Sequence, residues 1–391
     1  MTAPETLAGI KVIDVDTHFS EPLDLWTSRA SAKWRERVPQ MKPGADGRRV
    51  WTIDGDVSMG IPCAASVIAP DGGKTAGLDF FTKAVDQVHD ACSQVAPRLK
   101  VMDETGVFAQ VVYPNVLGFG GQGPSARVDP ELRLVSTQIY NDAAAEMQEA
   151  SGGRLYPMAL LPWWDVRLSV AEAQRCKAMG LRGVNINSDP HRSGMEDLSG
   201  DYWTPLWEYC GAEGLPVNFH IGASDASTAW FSESAWPSLS GEAKLALGST
   251  MLFLSNARVL VNLIVSGLLE RFPKLKFVSV ESGVGWIPFV LEALDYSIVE
   301  SSASAGLSMA PIDYFRRQVF ACFWFERKEL GAAVRAVGVD NVMFETDFPH
   351  PTCLYPRPLE RAAMAMADFT AEERRKLLSG NAARLYGIPL N

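Results

Sequence analysis

The chain has 391 residues, 47% of them hydrophobic and 21% charged, and carries a formal net charge of −10. Such a composition suits a globular protein with one large core or two smaller ones, and the acidic balance without any Lys/Arg run excludes a nucleic-acid partner. No run reaches the roughly 18 apolar residues of a bilayer span, and the start MTAPETLAGIK lacks a secretory signal. The six cysteines are scattered without a CxxC pair. The expectation is a cytoplasmic protein with free thiols and no membrane partner.

Short β-branched apolar runs alternate with helical stretches along the chain. The runs are KVIDVDTH (11–18), FAQVVYP (108–114), PMALLP (157–162), RGVNIN (182–187), PVNFHIG (216–222), KFVSVES (276–282), QVFACFW (318–324) and NVMFETD (341–347). Most lack polar alternation, as strands covered on both faces do. Helical stretches fall at 130–151, 168–179, 201–213, 284–300, 326–337 and 371–386. Eight such units predict an α/β fold, a (β/α)₈ TIM barrel forming one domain over 1–391. The alternative is an open doubly wound sheet, whose GxGxxG fingerprint is absent after the first run.

Two connections are too long for simple barrel loops. Residues 19–107 contain RRVWTIDGDVSMG, which reads as a β-hairpin, and residues 223–275 hold helices expected near 240–270. Both follow strand ends, so both are expected to rise over the same barrel face as lid and specificity wall. GFGGQG (118–123) reads as a mobile loop, without the Lys-Ser/Thr ending of a phosphate cradle. The very apolar LVNLIVSGLLERF (260–272) is either buried in the fold or a homodimer interface.

Polar residues gather where the strands end. Asp14, Asp16 and His18 share one face by the period of two, strand five ends in His220, and strand eight ends in Asp347. Asp16, His18, His220 and Asp347 together form an N/O set for zinc, manganese or iron. Each also has a plainer reading: His220 as a hydrogen-bonded core residue, Asp16 as a cap, Asp347 as the organiser of a turn before Pro349. His350, three residues past Asp347, is placed to orient a ligand or touch substrate; His191 and His89 read as surface or structural.

DVDTHFSEP, RLKVMDETGVFAQVVYPN, NFHIG, LKFVSVESGVGWIPF and MFETDFPHP, in this order, resemble the amidohydrolase-related family in its aminocarboxymuconate-semialdehyde decarboxylase-like branch. The resemblance implies a (β/α)₈ barrel holding one divalent metal, sometimes two, for hydrolysis, non-oxidative decarboxylation or hydration. It implies metal ligands at Asp16, His18, His220 and Asp347. Two positions depart from the branch. Asp16 stands where the first His of an HxH pair is common, which hardens the site. Glu281 stands where many relatives carry a His after strand six, which puts the decarboxylase mechanism in doubt. Glu281 acts there as general acid/base, as an extra ligand, or only as the cap of the helix near Val284. Strand four carries Asn185 and Asn187 and no bridging Lys, which favours one ion. A second ion would need Glu281 or Glu21, and Glu21 otherwise supports a ligand or caps a helix beginning at Pro22.

The function expected from these residues is metal-assisted hydrolysis of a small aromatic or alicyclic carbonyl compound. Asp347 would take a proton from water, and Glu281 or His350 would return it. Asn185, Trp286 and Phe348 are expected substrate contacts, with Phe323, Trp324 and Tyr355 completing an apolar wall. The alternatives are a carboxy-lyase acting on an aromatic or dienoic acid and a non-catalytic metal-binding barrel.

Overall fold

The structure, a computed structural model, describes residues 4–44, 47, 49–60, 64–75, 77–118, 122–304 and 306–390. Residues 119–121 of the glycine-rich stretch at 118–123 lie outside the described residues. Twelve strands occur among those described: β1 (Val12–His18), β2 (Gln40–Pro43), β3 (Arg49–Ile53), β4 (Val57–Ser58), β5 (Val107–Tyr113), β6 (Leu155–Pro157), β7 (Ala159–Leu160), β8 (Val184–Asn185), β9 (Val217–His220), β10 (Phe277–Val280), β11 (Val319–Phe323) and β12 (Val342–Phe344).

All but β2–β4 belong to a parallel ring. β1 pairs β5 and β5 pairs β6. After the single residue Met158 the same run continues as β7, and pairing proceeds through β8, β9, β10 and β11 to β12. The ring closes where the Asp347 amide donates to Asp16 O (2.9 Å) and the His18 amide donates to Phe348 O (2.7 Å). These are eight strand positions in a TIM barrel, placed where the apolar runs predict them. The interior holds Ile13, Val15, Val111, Val278, Phe320 and Met343 in one cluster. Lower in the barrel, the Tyr113 and Tyr386 hydroxyls both donate to Asn218 Oδ1, at 3.0 and 2.7 Å.

One feature of β1 departs from simple alternation. Asp14 pairs with Gln110 but Thr17 pairs with Val112, so one extra residue is accommodated between them. Such a bulge reverses which side chains face inward. Ile13 and Val15 point into the barrel before it, and Asp16 reaches the histidines at the mouth after it. Asp14, expected on the same face as Asp16, instead accepts from the Thr346 amide (2.8 Å) and the Thr346 hydroxyl (2.6 Å). Burial raises its pKa to about 7 despite these bonds.

Both long connections rise over the C-terminal ends of the strands. The first holds the antiparallel sheet β2-β3-β4 and a short turn of helix at Gly77–Phe81; β2 extends the expected hairpin to three strands. The second folds into helices Asp225–Glu233, Gly241–Phe253 and Ser255–Val265. The stretch Gly241–Val265 is long and apolar enough, by length and composition, to cross a bilayer, which counting uninterrupted apolar runs does not reveal. Leu260, Leu263, Ile264, Leu268 and Leu269 are buried inside the fold, which accounts for most of the apolar character of 260–272.

Arg258 holds this second connection down. Its guanidinium forms two 2.6 Å bonds to the buried carboxylate of Asp189, on the loop after β8. Desolvation pushes the Asp189 carboxyl up, but the bonds from Arg258 and Ser224 outweigh it and hold the pKa below its ordinary value. A depressed carboxylate pKa stabilises the fold above its unfolded value and ceases to do so as pH falls through the folded one. Arg258→Ala is therefore expected to cost on the order of 3 kcal/mol at neutral pH by stranding Asp189. That deficit should shrink below about pH 4, where the carboxylate takes up a proton. Thermal melts of both proteins at pH 7 and pH 3 measure it; an equal deficit at both would refute the ion-pair account.

Candidate metal centre

Six side chains from four strand ends converge at the mouth. His18 and His220 bring their Nε2 atoms to 3.0 Å of one another. Asp16 Oδ1 lies 3.3 Å from His220 Nε2 and 3.7 Å from His18 Nε2. Glu281 Oε2 lies 3.2 Å from His220 Nε2, and Asp347 Oδ1 lies 3.8 Å from His18 Nε2. His350 stacks on the His18 ring at 3.7 Å between centroids and places Nδ1 3.2 Å from Asp347 Oδ1.

Local backbone geometry aims two of the carboxyls. Glu281 (φ 51°) and Asp347 (φ 61°) both occupy the left-handed region, as does Ile221 (φ 41°) directly after His220. For residues with a side chain this conformation costs roughly 1–3 kcal/mol each, and it persists where the surroundings over-determine it. Val280 points into the barrel, so a continued strand would send Glu281 outward. The left-handed turn keeps it at the mouth, where its amide donates to Glu345 Oε2 (3.1 Å).

These groups fit a divalent cation. Both carboxylate oxygens of Asp16, and Oδ1 of Asp347, are buried with no hydrogen-bond partner among the described residues. A buried carboxylate left this way is costly unless a cation neutralises it. Burial drives the His220 pKa down to about 4, and burial together with the neighbouring His350 and His220 drives His18 well below its ordinary value. Both imidazoles are therefore neutral, the form that binds metal. Ligand atoms around an ion with bonds of about 2.0–2.2 Å stand roughly 3 Å apart, which matches the separations around His220. Two overlapping quartets each bring their donor atoms within 4.8 Å: Asp16, His18, His220 and Glu281, and His18, Glu281, Asp347 and His350.

Other expected residues take different places. Glu21 is outside both quartets; its Oε1 accepts from the amides of Asn115 (2.8 Å) and Val116 (3.0 Å). Asn115 Oδ1 in turn lies 3.2 Å from His350 Nε2, so Glu21 braces the loop that orients His350. Composition offered no sign of Asn115 beyond its position after a strand. Thr352, also missed, donates to Asp347 Oδ2 at 2.6 Å.

Above the cluster lies a cavity of about 420 Å³, with His18, Glu281, Asp347 and His350 at its floor. Both long connections contribute its walls, through Met59, Phe80 and Phe81 from the first and Phe231, Leu245 and Phe253 from the second. The expected wall is not the observed one. Trp286 donates its indole N–H to Ser282 O at the start of a helix, and Phe323 is buried in the core. Phe348 packs beneath the Arg98 guanidinium, and Trp324 and Tyr355 are likewise absent from the lining. Asn185 lines a separate small pocket beside Arg133 and Trp164. His89 caps a helical turn through Nδ1, and His191 is exposed beside a surface cleft.

A parallel eight-stranded barrel with buried imidazoles and carboxylates at its C-terminal mouth defines a metal-dependent barrel enzyme. The profile of the amidohydrolase family matches residues 13–388, and the chain belongs to that family. A curated relative, the γ-resorcylate decarboxylase of Polaromonas sp. strain JS666, is 26% identical over 306 residues, covering 74% of this chain and 86% of its own. Among solved structures, an amidohydrolase from Mycobacterium avium subsp. paratuberculosis K-10 superposes with a TM-score of 0.73 at 23% identity, covering 98% of this chain and 99% of its own. A dihydroxybenzoic acid decarboxylase from Polaromonas sp. JS666, with bound manganese and the inhibitor 2-nitroresorcinol, gives 0.61 at 18%, covering 97% of each chain.

These findings correct the expected reaction. The curated relatives matched over most of the chain are named decarboxylases, so the hydrolytic reading does not stand. Glu281, which stands where many relatives carry a His, brings a carboxyl to the same place. A divalent metal, by contrast, agrees with both the manganese-bound neighbour and the donor set of this chain.

Proposed function

We propose that this chain is a metal-dependent, non-oxidative carboxy-lyase that releases carbon dioxide from an aromatic or dienoic acid. The observation that carries the reading is the match to a γ-resorcylate decarboxylase across 74% of the chain. A divalent ion held by Asp16, His18, His220 and Asp347 would supply positive charge to bind the substrate carboxylate and an adjacent oxygen; manganese is the first choice, after the neighbour that binds it.

The protein's own part is to position the acid and deliver a proton. Cleavage of the C–C bond leaves its electron pair on the substrate carbon and frees carbon dioxide, and one proton must then reach that carbon. Glu281 lines the cavity floor. Burial, then the charges of Asp347, Asp16 and Glu345, raise its pKa well above the ordinary carboxyl range. The shift favours its protonated form, and Glu281 is the proposed donor. His350, stacked on His18 and held by Asn115, keeps Asp347 oriented. The two long connections line the cavity above this floor.

Manganese-loaded protein incubated in D₂O with carboxyl-¹³C-labelled 2-hydroxybenzoates and dienoic acids tests this. The expected result is labelled carbon dioxide and bicarbonate, with one deuterium at the vacated carbon. Release from no member of the panel would overturn the reading.

A further inference from the structure

We propose that the substrate carries one anionic group only and a large apolar substituent, which the walls contributed by the two long connections are built to receive. The inference rests on the carboxy-lyase reading.

Charge argues the first part. The centre holds three carboxyls, Asp16, Glu281 and Asp347, and no Lys or Arg lines the cavity among the described residues. The two positive charges of a divalent ion would be matched by Asp16 and Asp347 alone, so the ion would take one substrate carboxylate by direct contact and leave no positive charge for a second. A second carboxylate further up would be desolvated with no counter-charge and would face the acidic floor, an arrangement that is strongly unfavourable. The other polar side chains of the lining, Ser58, Asn115, Thr228, Ser249 and Thr352, are neutral.

Shape and surface argue the second part. About 420 Å³ falls within the range of sites that enclose drug-sized ligands, well beyond one ring with two hydroxyls. Phe80, Phe231, Leu245 and Phe253 present apolar surface that such a small, polar acid would leave facing water. These side chains come from the connections after β1 and β9 and not from the barrel, so the floor does the chemistry and the walls select the tail.

The test is a series of 2-hydroxybenzoates bearing hydrogen, ethyl, butyl, hexyl or phenyl at position 4, beside 2,6-dihydroxybenzoate and 2-hydroxyterephthalate. Carbon dioxide release gives kcat/KM. Matching 2-nitrophenols, which cannot lose a carboxyl, give Kd by calorimetry and so report binding apart from turnover. Each added methylene is expected to tighten Kd and raise kcat/KM by about fourfold until the cavity fills. The dicarboxylate should perform at least about tenfold worse than its parent. Phe253→Ala should flatten the dependence on tail length, and Leu245→Arg should restore the dicarboxylate. Carbon dioxide released from the small polar acids, with tails neutral or harmful, would overturn this proposal and leave the carboxy-lyase intact. Release from no member would overturn the carboxy-lyase reading, and this proposal with it.

Discussion

Asp16→Asn protein is expected to lose its divalent ion and, with it, about 10³-fold or more in turnover, the equivalent of several kcal/mol of transition-state charge stabilisation. The physical reason lies in how Asp16 is held. Its two oxygens are buried without hydrogen-bond partners among the described residues, 3.3 Å from His220 Nε2, in a cluster with Glu281 and Asp347. A group placed that way destabilises the metal-free fold and stabilises the loaded one. The same substitution is therefore expected to act with opposite signs on stability. In chelator, Asp16→Asn should melt above the wild type, because a buried unpaired carboxylate has been replaced by a neutral amide. In excess manganese it should melt below the wild type, because the wild type alone gains the binding free energy of the ion. Elemental analysis with paired melts checks both. A folded Asp16→Asn protein that retains a full equivalent of metal would remove Asp16 from the ligand set.

Glu281→Gln is expected to lower kcat by about 10²–10⁴-fold while leaving metal content near that of the wild type. Glutamine keeps the size of the side chain but carries no acidic proton, so protonation of the substrate carbon becomes the impaired step. KM should change far less than kcat, since the carboxylate of the substrate is bound by other groups. A loss under tenfold would move the proton donor to another group, with Asp347 and its partner His350 next in line. Loss of the ion instead would make Glu281 a ligand, consistent with its place in both donor quartets.

Much of this was legible from residue order alone. Runs such as NFHIG and MFETD are apolar because parallel barrel strands are covered on both faces, and their polar last residues mark the mouth. Asp16, His18, His220, Glu281 and Asp347 are all brought together as strand-end placement implies. Asp14 was misread because a period of two assumes an unbroken ladder, and the extra residue between Asp14 and Thr17 breaks it. Trp286 and Phe348 were misread because nearness in sequence to a strand end does not say which way a large side chain turns. One caps a helix start and the other packs beneath Arg98.

What the sequence determined by itself is local and repetitive: eight buried strands, the helices between them, and a ligand type at four of the strand ends. Hydrophobic period and residue chemistry act within a few positions, so they can be read without knowing the fold. What only the tertiary structure decided is the cavity. Phe80 and Phe253 are 173 positions apart in the chain, and their meeting above Glu281 depends on how two long connections pack over one barrel face. That packing is a sum of many weak, non-local contacts, to which no short stretch of sequence corresponds.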